Sequence, residues 1–199
     1  MNSLLFPPNT EEVQFDEKCN FVKKEEKHCK ANNLSDARCG DHWDHVALDA
    51  EHKLVLEVVN GKRTEANTKQ LVKKTAHRLQ FKPPRLITSD EHKPYRQAIL
   101  ETFGEKYLPH PTGKRGRPKK ARFCTPKDLV YATVHKTRMN GGVVKIDYRT
   151  VFGTKEQVQA ALSMSRCSHH VNTSFLTSSQ KMLKFCMCQY INIINSVYF

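Results

Sequence analysis

Two aspartates are placed where carboxylate chemistry would need them. Asp16 sits inside an alternating apolar run, and Asp90 closes a second short run 74 residues later. If those runs become neighbouring strands, the two carboxylates meet. Paired carboxylates are hard oxygen ligands of the kind used by two-metal phosphoryl transfer, usually in sets of three or more. One ion would activate the attacking water or hydroxyl, and the other would stabilise the leaving 3′ oxygen. The competing reading is a pair of solvated edge carboxylates, because the chain holds 20 acidic residues from which such a pair could arise by chance.

A second candidate is the segment 109–126, which contains Pro, Gly and the cations Lys114, Arg115, Arg117, Lys119, Lys120 and Arg122. Its Pro and Gly content excludes a helix or a central strand, so it reads as an exposed basic linker. The string Gly116-Arg117-Pro118 flanked by cations resembles an AT-hook, an extended Arg-Pro segment that lies in a narrow minor groove where negative potential is concentrated. The plain alternative is a solvated connector.

The remaining chemistry-bearing residues have simpler readings. The seven cysteines form no Cys-x-x-Cys pair and are expected to be reduced thiols of a cytosolic protein. Cys29, Cys39, His42 and His45 come nearest to a zinc ligand set, but their spacing matches no finger, knuckle or ribbon. Gly141-Gly142 reads as a turn rather than a phosphate loop, and His169-His170 as surface imidazoles. Trp43, the one tryptophan, is expected in the core, where the alternative is an exposed ring stacking on an unpaired base.

The elements that would position these groups follow from periodicity. Residues 13–22 alternate Val13, Phe15, Cys19 and Phe21 on one face and Gln14, Asp16 and Lys18 on the other. Glu17 breaks the apolar set, which gives this strand a task beyond packing. Residues 45–48 and 54–59 form a hairpin around Asp49-Ala50-Glu51-His52. A helix over 65–79 carries Leu71, Val72, Thr75, Ala76 and Leu79 on one face and stops at Pro83-Pro84. A strand over 85–90 precedes a helix opened by Pro94 and closed by Gly104, with Tyr95, Ala98, Ile99, Thr102 and Phe103 inward. After the linker, 129–134 and 143–152 form a hairpin around Asn140-Gly141-Gly142, with Val144, Ile146, Tyr148 and Phe152 alternating. Thr154 and Gln157 make a capping box for a final helix that buries Val158, Ala161 and Leu162. This order suits an α/β fold: a mixed, ribonuclease H-like sheet with flanking helices, plus the basic linker and a C-terminal β-hairpin and helix.

Length and charge bound the function. The 199 residues suit one globular domain, and 38% hydrophobic content suffices for a core. No run of about 18 apolar residues exists, so no transmembrane helix is expected, and residues 1–10 lack the pattern of a signal peptide. The net charge of +13 is uneven. Residues 1–112 hold 18 basic and 17 acidic side chains, whereas 113–199 hold 15 basic and 3 acidic. A polyanionic partner on the C-terminal side is implied, nucleic acid before anionic membrane.

Six strings in order carry a family resemblance: Phe15-Asp16-Glu17-Lys18, Gly40 to Asp49, Gly61-Lys62-Arg63-Thr64, Leu86 to Glu91, Val130 to Lys136, and Asn172-Thr173-Ser174-Phe175-Leu176. Together they resemble the transposases of the bacterial insertion sequence one family, in its longer-chain branch, over about 13–176. The resemblance implies a DDE transposase that cuts and joins double-stranded DNA with Mg²⁺ on a ribonuclease H-like core, at insertion-sequence ends and target. It leaves room for a homo-oligomer and implies a cytoplasmic, nucleoid-associated location. The family's first two acidic ligands land on Asp16 and Asp90. Its third, a Glu after the Asn-Thr-Ser-Phe string, falls on Thr177, and 157–199 contains no Asp or Glu.

Other departures accompany that loss. Cys19 stands where the family commonly has Trp, at the expected cost of a large buried side chain. The family's N-terminal DNA-recognition region is expected to be missing, with 1–12 only a leader. Residues 177–199 lack Gly and Pro and read as an aberrant apolar tail left by a frameshift or insertion. The expected organisation is a core over 13–108, the linker over 109–126, and a hairpin and helix over 127–176 that complete the core. The expectation is therefore a catalytically crippled transposase, with a residual DNA-binding protein or an unstable fragment as the alternatives.

Overall fold

The structure, a computed structural model, describes residues 9–30, 32–36, 39–109, 119–140 and 142–165. The described residues form a mixed six-stranded sheet with three α-helices. The sheet strands are β1 (Glu12–Val22), β2 (Gly40–Asp49), β3 (Leu54–Gly61), β4 (Leu86–Ser89), β7 (Tyr131–Met139) and β8 (Gly142–Phe152), in the spatial order β3-β2-β1-β4-β7-β8. A separate two-stranded ribbon pairs β5 (Glu105–Tyr107) with β6 (Arg122–Cys124). The helices are α1 (Glu65–Arg78), α2 (Pro94–Phe103) and α3 (Lys155–Ser163). Strands β1 to β3 form an antiparallel meander, β4 lies parallel to β1, β7 lies parallel to β4, and β8 returns antiparallel. This mixed sheet is compatible with the ribonuclease H-like fold expected from the sequence.

The alternation along the strands separates two faces. Val13 and Phe15 of β1 and Ile87 of β4 point into the larger core with Leu71, Val72 and Ala76 of α1 and Tyr95, Ala98 and Ile99 of α2. Leu86, Val130, Ala132 and Val134 instead pack against Val158, Ala161 and Leu162 of α3. The face opposite Phe15 is therefore the one that carries Asp16 (successive side chains of a strand alternate). Beyond α3, the Ser165 hydroxyl donates to Glu12 Oε2 at 3.0 Å, which ties the helix end to the start of β1.

Several elements depart from the expectations. Strand β2 begins at Gly40 rather than near His45: its polar first half is held by pairing with residues 18–22 of β1, which burial alone does not signal. Helix α1 ends before its prolines, because Gln80 and Phe81 take φ of 54° and 58°, left-handed values that stop a helix. The linker is not all irregular, since residues 122–124 pair with 105–107. Strand β8 is an outer strand of the sheet, and its Val144 and Tyr148 are substantially exposed rather than packed. The capping box forms as expected, with Thr154 accepting from the Gln157 amide and Gln157 Oε1 accepting from the Thr154 amide.

Candidate active site

Parallel pairing of β1 with β4 places Phe15 opposite Ser89, so Asp16 and Asp90 follow as the next neighbours on the two strands. Strand β4 ends there, and the crevice beyond the carboxyl ends of parallel strands is the usual ligand position in open α/β sheets. Asp16 Oδ1 accepts from the Glu17 amide at 2.9 Å, and Asp90 Oδ1 accepts from the His92 amide at 3.2 Å. Burial, reinforced by the charge of Asp90, pushes the Asp16 carboxyl up to about 7. Burial and the neighbouring Glu17 raise that of Asp90, against the opposing pull of Arg63 and Lys136. The charge of Lys136, from β7, also acts on Asp16.

On the other face of β1, Glu17 anchors a second set of polar groups. Its side chain is fully buried. Oε2 accepts from Arg63 Nε at 3.2 Å and from Arg63 Nη2 at 3.0 Å. Oε1 lies 4.0 Å from His45 Nδ1 and 3.9 Å from His92 Nε2, and the Tyr95 hydroxyl faces the same carboxylate. Register explains the convergence: Glu17 pairs with His45 across β1 and β2, while Trp43 pairs with Cys19 and Gly61. Gly61 ends β3, and Arg63 follows in the turn that leads to Thr64, the N-cap of α1. The Arg63 guanidinium lies over the Trp43 ring at 4.8 Å and reaches Asp90 Oδ2 at 3.9 Å, so it bridges the two polar sets. Burial holds the His92 imidazole below its ordinary value, against the pull of Glu17 and with Arg63 and His45 adding to the effect.

Three expectations change here. Cys19 is exposed, so its position does not offer a buried slot for a large side chain. Trp43 is only half-buried and lies beneath Arg63 rather than in the core. His45 is buried against Glu17 and the Lys62 carbonyl, whereas Cys29 and Cys39 lie in the excursion between β1 and β2. Glu17 itself carried a sequence signal, the charge breaking an apolar alternation. Nothing local signals that its partners converge on it, because they come from β2, the turn before α1, and the segment from 92 to 95.

Lys119 and Lys120 are exposed at the foot of β6. Lys114, Arg115, Arg117 and Thr177 lie outside the described residues. So do His169-His170 and the tail over 177–199. No helix among the described residues is long and apolar enough to cross a membrane.

No protein-family model matches the sequence, and no curated protein does at a significant level. Among solved structures, the crystal structure of the Mos1 strand transfer complex is similar at 19% identity and a TM-score of 0.31, covering 47% of this chain and 32% of that chain. The chain thus spans about a third of the length of that neighbour.

Proposed function

We propose that this chain is a DNA-binding protein of the DDE transposase type, with a ribonuclease H-like core whose cleavage chemistry is crippled. Asp16 and Asp90 are its two remaining acidic ligands. The observation that carries this reading is the parallel pairing of β1 with β4, which sets Asp16 beside Asp90 at a strand end. Burial raises both carboxyls, and the charge of Asp90 adds to the effect at Asp16, as expected where a carboxylate is set beside another in a part-buried crevice. The similarity of the six sequence strings to insertion-sequence transposases supplies the substrate class, double-stranded DNA.

Mg²⁺ takes oxygen donors of the type that Asp16 and Asp90 provide. Two carboxylates flanked by Arg63 and Lys136 do not complete a two-metal centre. Among the described residues no group of three or more His, Cys, Asp or Glu could hold a metal ion. Thr177, at the place of the third acid, offers a neutral hydroxyl. What this chain's own residues can do is bind the DNA backbone, through Lys114, Arg115, Arg117, Lys119 and Lys120, and hold a proton on the Asp16–Asp90 pair near neutral pH.

The test uses the purified full chain and a labelled duplex. Salt-dependent binding by anisotropy, with no nicking above background in Mg²⁺, is expected. Robust Mg²⁺-dependent nicking that disappears in Asp90→Asn would show that the missing third acid does not cripple the site. Failure to bind duplex DNA at low salt would overturn the reading as a whole.

A further inference from the structure

We infer that Arg63 is a DNA-phosphate-binding residue at the edge of the carboxylate pair, held in place by Glu17 and Trp43. The inference rests on the proposed DNA-binding role and extends it to a specific contact outside the basic linker.

The argument begins with the environment of Glu17. A fully buried carboxylate carries a desolvation penalty that one ion pair to a part-exposed arginine rarely outweighs, so the Arg63–Glu17 pair is weak evidence for stability alone. What the arrangement does provide is a fixed guanidinium. Both hydrogen bonds to Glu17 come from the Nε and Nη2 side of the fork. The planar group is also stacked on Trp43, which restricts its rotation and leaves less entropy to be lost on binding. A guanidinium has five N–H donors, and Nη1 makes no hydrogen bond among the described residues. The side chain remains 38% exposed, so the group is anchored yet reachable.

Its position decides the ligand. Nη2 lies 3.9 Å from Asp90 Oδ2, an ion-pair contact beyond hydrogen-bond distance, so Asp90 takes up none of the guanidinium's donors. A DNA backbone approaching Asp16 and Asp90 meets like charge. Arg63 on one side, with Lys136 acting on both carboxylates, offsets that repulsion where a phosphodiester would have to sit. Guanidinium recognises phosphate through paired, charge-assisted N–H donors, a geometry that a Lys ammonium does not reproduce.

Trp43 supplies the readout, being the single tryptophan in the chain and lying under the Arg63 guanidinium. An unlabelled short duplex is titrated into the full chain while Trp43 emission is followed. In parallel, a labelled duplex reports total binding by anisotropy. We expect saturable emission changes that track the anisotropy curve. Arg63→Ala leaves the buried Glu17 unpaired and endangers folding, so the informative variant is Glu17→Gln combined with Arg63→Ala, which removes both charges together. It should lose about tenfold in affinity and about one unit of the log–log salt slope. Arg63→Lys should fall between the parent and the double variant. Anisotropy showing binding while Trp43 emission stays flat, or a double variant with unaltered affinity and salt slope, would overturn the role of Arg63 and leave the linker reading standing. Absence of any duplex binding would instead overturn the DNA-binding reading on which it rests.

Discussion

Asp16 on β1 and Asp90 at the end of β4 stand on adjacent parallel strands, and the proximity of Asp90 adds to the burial that raises the Asp16 carboxyl to about 7. An unfolded Asp titrates near 3.9, so between roughly pH 4 and 7 the native chain holds a proton that the unfolded chain has lost. The stability linked to this group is present in full below about pH 4 and is lost as pH rises to about 7.

Asp16→Asn should therefore stabilise the protein at pH 8, on the order of 1–3 kcal/mol, while keeping an acceptor for the Glu17 amide. Removing the Asp16 carboxyl should also flatten the loss of stability between mildly acidic and neutral pH. Denaturant unfolding across that range checks both points. A variant that parallels the parent at every pH, or is less stable at pH 8, would sink the account.

Gly104 should resist substitution for reasons of space rather than of backbone sign. Its φ is −77°, open to any residue, but an added Cβ would stand 2.2 Å from the Leu100 carbonyl oxygen and 3.0 Å from that of Cys124. Both are backbone atoms, so neither yields by a rotamer change. Gly104→Ala is expected to cost about 2–3 kcal/mol and to loosen the junction between α2 and the β5–β6 ribbon. An unchanged denaturation midpoint would contradict this.

These residues show what the sequence could and could not convey. Strand β1, helix α1 and the capping box were legible because period-two and helical patterns, and cap chemistry, are local. The first half of β2, Gly40 to Asp44, was not: it is polar, and its strand character comes from pairing with β1 and β3. The β5–β6 ribbon was hidden because each strand has three residues and the second lies in a stretch read as linker. Glycine at 104 is legible as the end of α2, and its tightest constraint, the Leu100 carbonyl, is local, whereas the approach of the Cys124 carbonyl, twenty positions away, is invisible to local pattern. For the site, the carboxylates could be named and Glu17 flagged, whereas the Arg63 bridge depends on how β3 ends relative to β4.

Thr154 tests the core packed against α3. Its side chain accepts from the Gln157 amide at 3.2 Å, and the Gln157 side chain returns a bond to the Thr154 amide at 2.8 Å. Gln157 also donates to the Lys127 carbonyl at 3.2 Å, so the cap fastens α3 to the segment leading into β7. Thr154→Ala should cost about 1 kcal/mol, and Thr154→Ser should restore most of it. Equal thermal midpoints for the parent and the Ala variant would show that the box contributes nothing to stability.

The basic linker makes the strongest demand on solution behaviour. Lys119 and Lys120 are exposed just before the chain enters β6, and pairing of Arg122 with Tyr107 sets that entry at the end of the ribbon away from α2. Cations anchored at the foot of a short ribbon are confined to one side of the molecule. If about six phosphates are neutralised along 114–122, the log–log salt slope approaches −5. Replacing Arg115, Arg117, Lys119 and Lys120 together by Ala should remove most of that slope, and the weakening should be similar on unrelated duplex sequences because phosphate contacts carry no base information. A loss confined to A·T-rich duplexes would instead point to minor-groove insertion by Arg117. Unchanged binding on every duplex would remove the linker from the interface and place the burden of DNA contact on the strand ends beside Asp90.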